Sequence, residues 1–156
     1  QFMQEHQISE YSQLSDEAEA AAARFHALTE QLRQTEADLA HTSELMGAVV
    51  QYAKTRSVFD GYKAAKYSKK YLAAYEAELA DYRATKATLN DLLGGAKLPR
   101  MSDLKEKRRI LAAQKKALYA DYREAQQRMR EAVAVKANID HLLGVTDQRK
   151  NKEQER

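Results

Sequence analysis

The side chains best suited to chemistry sit in residues 54–71. This stretch holds Lys54, Arg56, Lys63, Lys66, Lys69 and Lys70 against one acid, Asp60, interleaved with Phe59, Tyr62, Tyr67 and Tyr71. Cations that neutralise phosphates, beside rings that stack on unpaired bases, are what single-stranded nucleic-acid binding requires. Lys54, Arg56, Tyr62, Lys63, Lys66, Tyr67, Lys69 and Lys70 are therefore the candidate nucleic-acid contacts. Each class also has a plainer use. Tyr67, Tyr71 and Tyr75, spaced by four, share a helical face where packing against a neighbour is the commoner fate. Exposed lysines commonly form no more than a solvated face. A second basic cluster comprises Lys97, Arg100, Lys105, Lys107, Arg108 and Arg109.

Other chemistry finds little support. Asp38, His41 and Glu44 lie three apart, the best local spacing for a metal, but no His-x-x-x-His or Glu-x-x-His pair accompanies them, so a solvated helix face is expected. Gly94-Gly95 lacks the Gly-Lys-Ser/Thr of a phosphate loop and reads as a helix stop. The chain has no cysteine, which excludes disulfides and thiolate metal sites and makes a reducing cytosol the natural compartment. No apolar run approaches the ~18 residues of a membrane span. No catalytic residue, metal ligand or cofactor is expected.

The elements that must position the basic stretch are helices. Five Gly and one Pro in 156 residues leave too few turns for a strand-rich fold. The positions Leu14, Ala18, Ala21, Phe25, Leu28, Leu32, Thr35, Leu39, Thr42, Met46, Val49 and Ala53 alternate by four and three, a heptad seam that predicts one helix over 15–54 with Ser15 as its N-cap. Thr55 to Gly61 gathers β-branched residues, Ser, Asp and Gly, and predicts a bend. Ser68 is expected to cap a second long helix with the seam Leu72, Tyr75, Leu79, Tyr82, Lys86, Leu89 and Leu93, stopped by Gly94-Gly95. A last helix follows Pro99 along Leu104, Arg108, Leu111, Lys115, Leu118, Tyr122, Ala125, Met129, Ala132, Lys136, Ile139 and Leu143, ended by Gly144.

These spacings predict an all-α fold: an antiparallel three-helix, coiled-coil-like bundle over 15–145, its middle arm broken near 55–68. Residues 1–14 read as the end of a preceding segment or a short helix, in a piece cut from a larger protein, and 146–156 as a disordered polar tail. In that bundle Arg149 and Lys150 fall at the same end as the basic stretch. An open pair of coiled coils completed by homodimerisation is the rival, because Arg108, Lys115 and Lys136 place charge in the seam. Charge is uneven: residues 1–53 hold two basic and nine acidic residues, a net of −7, and residues 54–156 hold 24 basic and 14 acidic, a net of +10. An acidic helix beside basic ones explains this internally, while the positive surplus favours a polyanionic partner.

The run Tyr52-Ala53-Lys54-Thr55-Arg56-Ser57-Val58-Phe59-Asp60-Gly61-Tyr62-Lys63, continued by Tyr67-Ser68-Lys69-Lys70-Tyr71-Leu72, resembles the C-terminal region of relaxase/mobilization nucleases of Gram-positive conjugative transposons and related mobile elements. Ala96-Lys97-Leu98-Pro99 and Val135-Lys136-Ala137-Asn138-Ile139-Asp140-His141-Leu142-Leu143-Gly144 fit the same pattern. Ser57 departs from it, standing where the family often carries Pro after the Arg. The resemblance implies a bacterial, cytoplasmic, non-catalytic accessory region of a DNA-nicking enzyme. Its partners would be DNA, as a single strand or origin-flanking duplex, or other conjugation proteins, with no membrane. The family's nicking domain uses a tyrosine nucleophile and a His-held metal; no tyrosine here matches that motif and no His-hydrophobe-His occurs, so no catalytic residue carries over.

Overall fold

The computed structural model describes the backbone of residues 2–154 and the side chains of Glu5 and residues 9–144. All regular structure among the described residues is helical: α1 (Phe2–Ala64), α2 (Lys69–Ala74), α3 (Glu76–Leu93) and α4 (Met101–Gln154). The helices have 63, 6, 18 and 54 residues. No break separates residues 2–14 from the remainder of α1, and Ser15 lies within that helix rather than capping it. Gly144 does not end α4, and residues 146–154, expected to be disordered, continue that helix. One glycine costs a helix only about 1 kcal/mol relative to Ala, which neighbouring turns of good helix formers offset. The side chains of Arg149 and Lys150 lie outside the described residues.

The chain divides into two compact units, one of Gln1–Gln34 with Lys115–Arg156 and the other of Thr35–Gln114. In the first, α1 and α4 run antiparallel: the Tyr11 hydroxyl donates to the Asp140 carboxylate at 2.7 Å, and the rings of Phe25 and Tyr122 lie 5.1 Å apart. Ala18, Leu28, Leu32 and Ala125 are buried there, all at expected seam positions.

In the second unit α1 packs antiparallel to α3, and the first turns of α4 join them. Leu45, Met46, Leu89 and Leu104 form the core, with Val49, Tyr52 and Met101 packed against it. Here the seam of α1 departs from the expected register. Ala53 is exposed, and the inward positions after Val49 are Tyr52, Thr55, Phe59 and Tyr62. From Met46 to Thr55 three successive steps of three replace the alternation of four and three, which locally overwinds the seam.

The predicted bend at 55–61 is instead continuous helix. The Thr55 hydroxyl donates to the Gln51 carbonyl at 2.9 Å, which satisfies its polar group inside the helix. Arg56 pairs with Asp60 across one turn at 3.9 Å. Phe59 stacks on Tyr82 of α3, ring centroids 4.3 Å apart at 10°, and Tyr52 lies on Tyr82 at 5.7 Å. Propensity losses of at most about 0.7 kcal/mol for each β-branched or polar residue are outweighed by burying aromatic rings worth about 1.5–3 kcal/mol apiece.

Burial raises the Tyr82 phenol above its ordinary range, and Tyr52 and Asp60 push in the same direction. The folded chain keeps this proton where the unfolded chain loses it. The contribution to stability is therefore complete below pH about 10 and declines as the pH rises through the folded value. Urea unfolding between neutral pH and pH about 11 should show Tyr82→Phe losing less stability than the parent; an equal loss in both would exclude Tyr82 as its source.

Candidate nucleic-acid interface

The turn that the sequence places at 55–61 lies at residues 65–68. Tyr67 N–H donates to the Tyr62 carbonyl at 3.0 Å and Lys66 N–H to the Lys63 carbonyl at 2.9 Å. These are the paired hydrogen bonds of a Schellman helix stop, and the rings of Tyr62 and Tyr67, 5.2 Å apart, supply its apolar contact. Lys66 (φ 54°) and Tyr67 (φ 58°) both take the left-handed conformation, a region that favours glycine. Ser68 then caps a helix as expected, accepting from Tyr71 N–H at 3.4 Å, but α2 is only 6 residues long. Backbone strain at Lys66 predicts that Lys66→Gly raises stability by about 0.5–1 kcal/mol, read as a higher urea midpoint; an unchanged or lower midpoint would show that the turn holds no relievable strain there.

The Tyr71 side chain docks α2 on α1. The Tyr71 hydroxyl donates to the Val58 carbonyl at 2.8 Å, and it does so through the space a side chain at position 61 would fill, since a Cβ on Gly61 would collide with that hydroxyl. Tyr71 also meets Tyr62 at 5.9 Å and Tyr75 at 4.5 Å. Phe59, Tyr62, Tyr71 and Tyr75 thus spend their ring faces on one another or on Tyr82.

The basic candidates separate by position. Lys63 stands in the last turn of α1 with its ammonium 4.9 Å from the Phe59 ring centre, Lys66 occupies the turn, and Lys69 and Lys70 open α2. All four are exposed, and no carboxylate among the described residues lies within ion-pair distance of them. Arg56, nearly two turns before Lys63, shares its face of α1 but is paired with Asp60. Lys54, nine residues before Lys63, falls on the opposite face of the helix, and the structure does not bring it to the turn. Tyr62 is half-buried, whereas Tyr67 is 59% exposed. The signal that could have located the turn is the Tyr62/Tyr67 pair five apart followed at once by a capping Ser.

Elsewhere, no group of three or more His, Asp or Glu among the described residues converges to hold a metal ion, and Asp38, His41 and Glu44 stay spread along α1. Arg109 of the second basic cluster is held by Glu106 at 3.0 Å, which keeps the Glu106 carboxyl below its ordinary range. No described helix is long and apolar enough to cross a membrane. No family model matches the chain, and no curated protein or solved structure matches it.

Proposed function

We propose that this chain is a non-catalytic helical module that grips nucleic acid at the turn between α1 and α2, acting as an accessory region of a DNA-processing protein in the bacterial cytoplasm. The conjugative relaxases that its sequence resembles are the parent class this reading names. One observation carries the proposal: Lys63, Lys66, Lys69 and Lys70 flank a single turn, and no carboxylate among the described residues lies within ion-pair distance of them. Such a cluster is self-repelling and gains most from phosphates that release bound counterions. The antiparallel, coiled-coil-like bundling of the helices serves in this reading as the mount for that turn.

Fluorescence anisotropy of the chain with labelled single-stranded and duplex oligonucleotides, at low and near-physiological salt, tests the proposal. About four lysine–phosphate contacts on a single strand give a log–log salt slope near −3. Absence of binding even at low salt would refute it. A second reading, a protein-interaction or dimerisation scaffold, is favoured by Val133, Val135, Leu142 and Leu143, which α4 leaves exposed. Sedimentation showing a concentration-dependent mass would support that scaffold, and a monomer at all concentrations would remove the dimer.

A further inference from the structure

Resting on the nucleic-acid reading above, we propose that Tyr67 is a stacking platform for one unpaired base, so that the turn selects single-stranded over duplex nucleic acid. Three of the described tyrosines are exposed: Tyr67, Tyr75 and Tyr119. Tyr75 lies against Tyr71 at 4.5 Å, and Tyr119 has the Arg123 guanidinium over its ring at 5.5 Å. Tyr67 has one ring contact, an inclined one with Tyr62 at 5.2 Å and 63°, and it is the most exposed of the three.

Its surroundings complete a nucleotide site. Lys66 precedes the ring, Lys69 and Lys70 follow it on α2, and Lys63 lies one turn back, so cations flank the ring on both sides in the chain. A base on the ring leaves its own phosphates within the range of these side chains, the combination by which single strands are held. Position 67 itself needs only an apolar group to meet Tyr62, which Leu would satisfy. An aromatic ring held in a left-handed backbone conformation and mostly in water is thus unexplained by packing. Duplex bases are already stacked on one another and offer the ring no face, which makes the discrimination a direct consequence of the geometry.

The test compares the parent chain with Tyr67→Leu, which keeps the apolar contact to Tyr62, and Tyr67→Phe, which keeps the ring. Anisotropy is measured with a single strand, a duplex and an abasic strand of equal length. Tyr67→Leu should weaken single-strand binding roughly ten- to hundredfold and leave duplex and abasic-strand binding unchanged, while Tyr67→Phe binds like the parent. Equal single-strand binding by Tyr67→Leu and the parent would overturn the platform while leaving the phosphate grip intact. Equal losses on single strand and duplex would overturn the selectivity. Failure of the parent chain to bind any of the probes would overturn the grip itself.

Discussion

Reversing Lys66, Lys69 and Lys70 to Glu should lower nucleic-acid affinity at least about a hundredfold at low salt and flatten the salt slope by about two to three. Three lysines that neutralise phosphates become three carboxylates that repel them, on a turn that keeps Lys63 of its four exposed lysines. The fold should tolerate the change. All three side chains are exposed, and the cap hydrogen bonds around them are made by the backbone and by Ser68, so exchanging the lysine side chains should shift stability by about 0.5 kcal/mol or less. Glu at positions 69 and 70 would also stand in the first turn of α2, where the helix dipole favours negative charge. Lost binding with an unchanged melting curve would therefore report the electrostatics of the turn. Undiminished binding by the triple variant would remove this patch as the site.

The second large effect is structural. Tyr82→Ala should cost about 3–5 kcal/mol, read in urea or thermal unfolding, because it empties the space between Phe59 and Tyr52 that joins α1 to α3. Tyr82 is 5% exposed, so its ring contacts are almost wholly within the protein. Tyr82→Phe keeps the ring and should lose no more than about 1.5 kcal/mol. A loss below about 1 kcal/mol in the alanine variant would show that the aromatic stack does not join the two helices. The same stack continues α1 past Phe59 to the lysine-bearing turn. Tyr82→Ala should therefore weaken nucleic-acid binding too, without removing any charge.

Much of the helical pattern is legible without coordinates. The alternation from Leu14 to Val49 marks residues that are all buried or half-buried, because in a helix with few interruptions only such spacing keeps apolar groups on one side. Gly94-Gly95 reads correctly as a stop: α3 ends at Leu93, and both glycines have positive φ. The candidate lysines read from composition sit together around one turn, except Lys54, whose place on the far face results from α1 being unbroken. The turn was legible only at its far end, where Ser68 caps α2 within the break expected over 55–68; the bend read at 55–61 was placed too early. Thr55, Ser57, Val58 and Gly61 are weak helix formers, and local propensity argues for a bend among them.

By itself, then, the sequence determined that the chain is helical, which residues line the seam from Leu14 to Val49, and where positive charge gathers. Glycine and proline scarcity, the four-three spacing and lysine counts are local quantities, and they need no partner to act. Only the tertiary structure decided that α1 runs on to Ala64, since Tyr71 and Tyr82, distant in sequence, bury Phe59 and occupy the gap over Gly61. The same contacts decided which tyrosines spend their faces on packing and left Tyr67 exposed among the lysines. Ring against ring is settled by which helices meet, a contact energy that no local pattern encodes.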